Sequence, residues 1–165
     1  MQNNLLDDKT ICALSTPNGV SAISVIRLSG NKAINITNKC FSKDISEAAG
    51  YTVHYGSILQ DEKIVDDVIV TIFRGPKSFT GEDIVEIACH GSTFIQQKII
   101  EVLLDCGANM AEPGEFSKRA SFNGKLDLSQ TEAIADLIHS TSSAAHQIAI
   151  NQMRGGFSND LQSLR

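Results

Sequence analysis

Three acids, a cysteine–histidine pair and three glycines are gathered in the stretch 75-GPKSFTGEDIVEIACHG-91. Its second half, 84–91, is typical of a strand because apolar side chains recur at every second position. A period of two places Glu86 on one face, between apolar neighbours. Such a carboxylate is either an exposed edge residue or an acceptor aimed into a pocket, where it needs a fixed donor. An unpaired buried charge costs on the order of several kcal/mol.

A second charge ends the apolar face of another predicted strand, 22-AISVIRLSG-30. Alternation places Arg27 on the same face as Ile23 and Val25. A guanidinium in that position either reaches water along its aliphatic stem or holds a carboxylate or a similar group with its planar fork. The strand pattern alone leaves both interpretations open.

The remaining polar residues of the first stretch invite simpler interpretations. Glu82 and Asp83 follow a threonine and a glycine in a predicted turn, where acids ordinarily accept hydrogen bonds from nearby backbone N–H groups. We interpret both as supports of the loop. His90 precedes Gly91 at the end of the strand, where it either orients a ligand or satisfies a backbone group.

Other kinds of site find little support in the sequence. Neither G-x-x-x-x-G-K-[ST] nor G-x-G-x-x-G occurs, so neither phosphate-binding device is present in these 165 residues. Cys89 and His90 are adjacent on a strand and point to opposite faces, so we expect no metal site. No serine or threonine lies in a nucleophile motif, and Glu86 has no evident partner for acid–base catalysis.

Composition predicts about one ordinary domain, with 42% apolar residues in a chain of 165. A net charge of −5 argues against tight binding of nucleic acid by this chain alone, although 117-SKRASFNGK-125 is locally basic. Four scattered cysteines in apolar runs are typical of small buried side chains in a reducing, cytoplasmic protein. We see no signal peptide and no run long enough to cross a membrane.

Strands mixed with two helices favour an α+β class, with a mixed sheet covered by helices. Ser92 is expected to cap the second helix and Gly107 to end it. The predicted strands are 10–15, 22–30, 52–59, 64–75 and 84–91, and the predicted helices are 31–41 and 93–106.

The pattern becomes helical from Pro113 onwards. We expect a short helix over 113–124, a capping box formed by Ser129 and Glu132, and helices over 130–140 and 141–153, interrupted at 154–157. The chain reaches Arg165 inside another amphipathic run, which suggests a sequence cut within a helical region.

Four blocks together carry a resemblance to a known family. They include the patterns S-[FY]-T-G-E-D-x-x-E-x-x-x-H-G and P-G-E-F-[ST]-x-R-A-F-x-N-x-K-L-D-L, which are long and specific. Over nearly its whole length the chain resembles the N-terminal part of the MnmE (TrmE) family of tRNA-modification GTPases. The blocks are 10-TICALSTPNG-19, 22-AISVIRLSG-30, 75-GPKSFTGEDIVEIACHG-91 and 112-EPGEFSKRASFNGKLDLSQTEAIADLI-138.

The resemblance implies a domain over 1–119 that binds 5-formyl-tetrahydrofolate, a one-carbon donor, and forms a homodimer. Its fold would be similar to the folate-binding domain of aminomethyltransferases. Residues 120–165 would hold the first helices of a helical domain, cut short here, with the G domain absent. The full-length protein would modify carbon 5 of the wobble uridine (U34) of tRNA with the flavoprotein MnmG, using GTP, K⁺ and Mg²⁺. This part, lacking the P-loop, would have no GTPase activity.

The family's folate contacts fall on Arg27, Glu86 and Lys125. A pterin presents a ring N–H beside an exocyclic amine, which a carboxylate such as Glu86 accepts through two charge-assisted bonds. The two cations would meet carbonyl or glutamate-tail oxygens of the folate. The sequence departs from the family pattern at 16-TPNGVSA-22, at 90-HGS-92 and at 119-RASF-122, which affects loop details and leaves these three residues in place.

Two rival hypotheses come from other classes. A stand-alone folate enzyme of the aminomethyltransferase type requires a complete catalytic set, which the sequence does not offer. A dimerisation scaffold without a ligand is disfavoured by the presence of all three contact residues.

Overall fold

The computed structural model describes residues 9–154. Within them the chain forms six strands and five helices. In chain order these are β1 (Ile11–Leu14), β2 (Ile23–Ser29), α1 (Ala33–Cys40), β3 (Thr52–Gln60), β4 (Lys63–Phe73), β5 (Ile84–His90), α2 (Thr93–Asp105), β6 (Asn109–Met110), α3 (Glu115–Phe122), α4 (Leu128–His139) and α5 (Ser143–Met153).

The strands form one sheet in the order β3-β4-β5-β2-β1-β6. All neighbours are antiparallel except β1 and β6, which run parallel, so the sheet is mixed. The predicted α+β class with a mixed sheet and covering helices is confirmed.

Helices α1 and α2 pack on one face of the sheet and form the core with it. Strand alternation supplies that core: Ile26 and Leu28 of β2 are fully buried, as are Val85 and Ile87 of β5. Each such side chain contributes roughly 1.5–3 kcal/mol when removed from water. The intervening residues of the same strands lie on the opposite face, here called the open face, which carries the charges noted in the sequence.

The limits of α2 were only partly foreseen. Gly107 ends it as expected, with a φ of 109°. The Gly107 N–H donates to Leu104 O (2.9 Å) and the Ala108 N–H to Leu103 O (3.0 Å), the Schellman arrangement. At the start, Ser92 occupies the N-cap position, but its side chain makes no capping hydrogen bond. The sequence also missed β6, because two residues are too short to show a period.

The described chain divides into two compact units between Phe116 and Ser117. The expected functional boundary between 119 and 120 stays a prediction. In the second unit α4 packs against α5. None of the helices in residues 9–154 has the length and apolar character needed to cross a bilayer.

The predicted capping box of α4 is wrong by two residues. The N-cap is Asp127, whose carboxylate accepts from the Gln130 N–H (2.7 Å), while the Gln130 side chain accepts from the Asp127 N–H (2.9 Å). Aspartate caps as well as serine does, and Leu128 already begins the helix, so Ser129 falls inside it. Helix α5 ends at Met153, where the interruption predicted over 154–157 begins. Residues 155–157 and the final amphipathic run lie outside the described residues.

Candidate functional site

Arg27 and Glu86 are brought face to face by the register of two central strands. They are direct partners in the antiparallel β2–β5 ladder, so their side chains emerge side by side on the open face. Arg27 Nε donates to Glu86 Oε1 (2.9 Å), and Arg27 Nη2 donates to the same oxygen (2.6 Å). Each charge is therefore the fixed partner that the other required.

The Arg27–Glu86 ion pair leaves one hydrogen-bonding atom of each side chain unused by it. Both donors converge on Oε1, and among residues 9–154 neither Glu86 Oε2 nor Arg27 Nη1 has a protein hydrogen-bond partner. The two side chains are 26% and 27% exposed. A carboxylate oxygen that can accept and a guanidinium nitrogen that can donate are thus left without a protein partner on a half-buried surface.

Two aromatic rings contact the Arg27 guanidinium. Its central carbon lies 5.5 Å from the centroid of the Phe79 ring and 5.7 Å from that of Phe116. Both distances are within the range of cation–π attraction. Neither residue was identified from the sequence: Phe79 lies between the predicted strands 64–75 and 84–91, and Phe116 lies near the start of the predicted short helix 113–124. The available signal was their position inside the two longest family blocks.

The loop acids have the structural role expected of them. Asp83 accepts a hydrogen bond from the Gly75 N–H (2.8 Å) and pairs with Arg74 (3.4 Å). Glu82 accepts from the Ser29 hydroxyl (2.7 Å). The Asp83 contacts join the two ends of the loop between β4 and β5, and the Glu82 contact ties the loop to β2.

His90 is held by a carboxylate that the sequence did not single out. The His90 backbone N–H donates to Asp66 Oδ2 (2.8 Å), and His90 Nδ1 lies 2.7 Å from Asp66 Oδ1. Asp66 is buried, whereas the imidazole is largely exposed. The described side-chain contact of His90 is thus with Asp66 of the same chain.

Lys125, the third predicted contact, belongs to the second unit. It follows α3, and its backbone N–H donates to Ala120 O (2.8 Å). Its part in the site with Arg27 and Glu86 stays a prediction.

Three of the four cysteines, Cys12, Cys40 and Cys89, are buried, and Cys106 is half-buried. Burial raises the pKa of Cys12 and of Cys89 to about 11. Burial, and then the neighbouring Cys106, raises the pKa of Cys40 to about 12. No three acidic, histidine or cysteine side chains in residues 9–154 are grouped as metal ligands.

Comparison with known proteins gives one consistent result. The family described as "GTP-binding protein TrmE N-terminus" matches residues 10–125. The chain is 55% identical over 157 residues to the tRNA modification GTPase MnmE of Cytophaga hutchinsonii, covering 94% of this chain and 34% of that protein. It is 52% identical over 165 residues to the MnmE of Flavobacterium johnsoniae, covering 98% of this chain and 35% of that protein. The chain thus spans about a third of the length of these curated relatives.

Proposed function

The chain belongs to the family of TrmE N-termini, and on that premise we propose that it is the folate-binding and dimerisation part of a tRNA-modification GTPase. The full-length protein would act in the cytoplasm with an MnmG-like flavoprotein on carbon 5 of the wobble uridine (U34) of tRNA. Its G domain would hydrolyse GTP with K⁺ and Mg²⁺. The proposal is supported by the relatives, which are tRNA modification GTPases by name. The 165 residues contain no P-loop, so this part would not hydrolyse GTP.

The observation that carries the folate proposal is the open side of the Arg27–Glu86 pair. A pterin presents two donors, a ring N–H and an exocyclic amine, next to a ring carbonyl. Glu86 Oε2 would accept from the donors, and Arg27 Nη1 would donate to the carbonyl. Each charge-assisted bond would contribute roughly 1.5–3 kcal/mol. The ion pair would therefore be complementary to a pterin edge, because it offers an acceptor for the two donors and a donor for the carbonyl.

Lys125 completes the proposed contact set. Its ammonium group would meet an oxygen of the folate, either a carbonyl or a carboxylate of the glutamate tail, as a compact cation with three donors. We also propose that the fold of this part is similar to that of the folate-binding domain of aminomethyltransferases.

The homodimer is supported by a separate feature of the open face. Val53, Tyr55 and Ile69 are 65%, 62% and 46% exposed. Tyr55 and Ile69 are direct partners in the β3–β4 ladder, and Ile69 in turn faces Ala88 of β5. Contiguous exposed apolar side chains on a sheet are typical of a contact surface. We propose that a second copy of the chain covers this row, here called the apolar row.

One experiment tests the folate proposal and both of its rivals. Titration of 5-formyl-tetrahydrofolate into the purified chain by calorimetry should show saturable binding. Absence of binding at millimolar ligand, both here and in the full-length protein, would favour the dimerisation scaffold. Turnover of a folate substrate by the chain alone would favour the stand-alone enzyme.

A further inference from the structure

We propose that Phe79 and Phe116 are positioning residues of this site, which hold the Arg27 guanidinium on Glu86 Oε1 and so leave Arg27 Nη1 and Glu86 Oε2 available to a ligand. The inference rests on the proposed folate function for the identity of the ligand. It rests on the geometry of the ligand-free chain for the positioning itself.

The first argument is the form of the ion pair. An arginine that meets a carboxylate without further constraint commonly makes two parallel bonds to the two oxygens. Here Nε and Nη2 of Arg27 both donate to Glu86 Oε1, and Oε2 receives no hydrogen bond from Arg27. An arginine side chain has many rotamers, so this orientation needs contacts beyond those with Glu86.

The second argument is that two rings supply such contacts. The faces of aromatic rings attract a guanidinium, and both ring centroids lie within about 6 Å of its central carbon. Both rings are half-buried, so they also remove water from one side of the ion pair and strengthen it. The rings come from different segments, the loop before β5 and the first turn of α3.

The third argument is that the backbone next to each ring is fixed. Thr80, beside Phe79, is fully buried, and its hydroxyl lies 2.7 Å from that of Ser29. Ser29 lies two residues after Arg27 on the same strand, so the Phe79 loop is tied to the strand that carries the guanidinium. Beside Phe116, the Glu115 carboxylate accepts from the Glu112 N–H (2.7 Å). Neither ring depends on an unsupported loop.

The test replaces each ring by an aliphatic side chain of similar size. In ligand-free Phe79→Leu and Phe116→Leu, the Arg27 Nε–H should exchange with water several-fold faster than in the wild type, measured by ¹⁵N NMR. The signal is assigned by its loss in Arg27→Lys. Affinity for 5-formyl-tetrahydrofolate should fall roughly 3- to 30-fold. Phe79→Tyr keeps the ring face and should restore both values.

Phe73→Leu is the matched control. Phe73 lies on β4, which pairs with β5 and not with β2, the strand of Arg27. Its ring packs edge-on against the Tyr51 ring, with the two centroids 5.7 Å apart, so its loss should leave the Arg27 signal unchanged. If Phe79→Leu does not fold, as judged by circular dichroism, Phe79→Met provides the same comparison.

The outcomes separate this inference from the proposed function. An Arg27 Nε–H that exchanges at the wild-type rate in both leucine variants overturns the positioning role. If affinity nevertheless falls, the rings stack directly on the ligand instead. Faster exchange in the variants supports the positioning role even if the wild-type chain binds no folate, and in that case only the folate function fails.

Discussion

Arg27 and Glu86 are joined across the β2–β5 ladder through a single carboxylate oxygen, which receives Nε at 2.9 Å and Nη2 at 2.6 Å. The other carboxylate oxygen receives no bond from Arg27 and is the atom that would accept from the proposed ligand. Since each residue is also the other's only described ionic partner, a change at either position affects both the sheet and the ligand-facing surface.

Removal of the carboxylate should abolish most ligand binding. In Glu86→Ala we expect the affinity for 5-formyl-tetrahydrofolate to fall at least about tenfold, because two charge-assisted bonds are lost. Calorimetric titration gives the affinity, and circular dichroism checks the fold. Glu101→Ala is the control, since Glu101 is an exposed acid on α2 paired with Lys98. Equal affinities of the two variants would contradict the assignment.

A charge in the apolar row should separate the proposed dimer. Ile69→Asp places a carboxylate at the centre of that row, where covering it with a second copy would desolvate an unpaired charge. Light scattering at high concentration should give a dimeric mass for the wild type and a monomeric mass for the variant. Phe94→Asp changes a more exposed apolar residue, on α2, and should remain dimeric. A wild-type chain that is monomeric at high concentration would refute the dimer proposal.

Asp66 should matter for stability although it lies outside the predicted site. Its carboxylate is buried and accepts from the His90 backbone N–H, which Asp66→Ala would leave without that acceptor. We expect the free energy of unfolding to fall by about 1–3 kcal/mol. Urea denaturation measures it. The exposed neighbour Asp67 provides the matched variant, Asp67→Ala, which should change the value by less than about 0.5 kcal/mol.

Alkaline pH should weaken the fold through the buried thiols. The pKa of Cys12 is raised to about 11 from an ordinary value of 9.0. Below pH 9.0 the contribution of this thiol to stability is fully present, and it is lost as the pH rises towards 11 because the unfolded chain releases its proton first. Urea denaturation in reducing buffer between these limits should show a smaller decline for Cys12→Ala than for the wild type. Parallel curves would contradict the burial effect.

Strand alternation predicted the face on which each site charge lies but not its partner. The apolar neighbours of Arg27 and Glu86 determine the face locally. Their pairing depends on the register of two strands whose partners are 59 residues apart, which no local pattern encodes. The family resemblance supplied that association, and the ladder supplies its physical basis.

The parts that sequence reasoning missed lie where local signals are weak or duplicated. Phe79 and Phe116 contact Arg27 from a loop and a helix start, where no periodicity marks a side chain as facing inwards. At α4 two residues of cap-forming types, Asp127 and Ser129, lie two positions apart, and the sequence analysis considered only Ser129. Asp127 prevails because its carboxylate meets the Gln130 N–H, while Ser129 has already entered the helix.

The place of β5 between β4 and β2 has a consequence for the order of folding. The β3–β4 hairpin closes through a two-residue turn, Asp61–Glu62, and is a local contact. The Arg27–Glu86 pair instead closes a loop of 59 residues, and contacts of that kind form slowly. In stopped-flow refolding we therefore expect strand signals to precede folate-binding competence. A partly refolded or newly synthesised chain would thus form the β3–β4 hairpin before it forms the Arg27–Glu86 site. Binding of the ligand would then indicate that β2 and β5 have paired at the centre of the sheet.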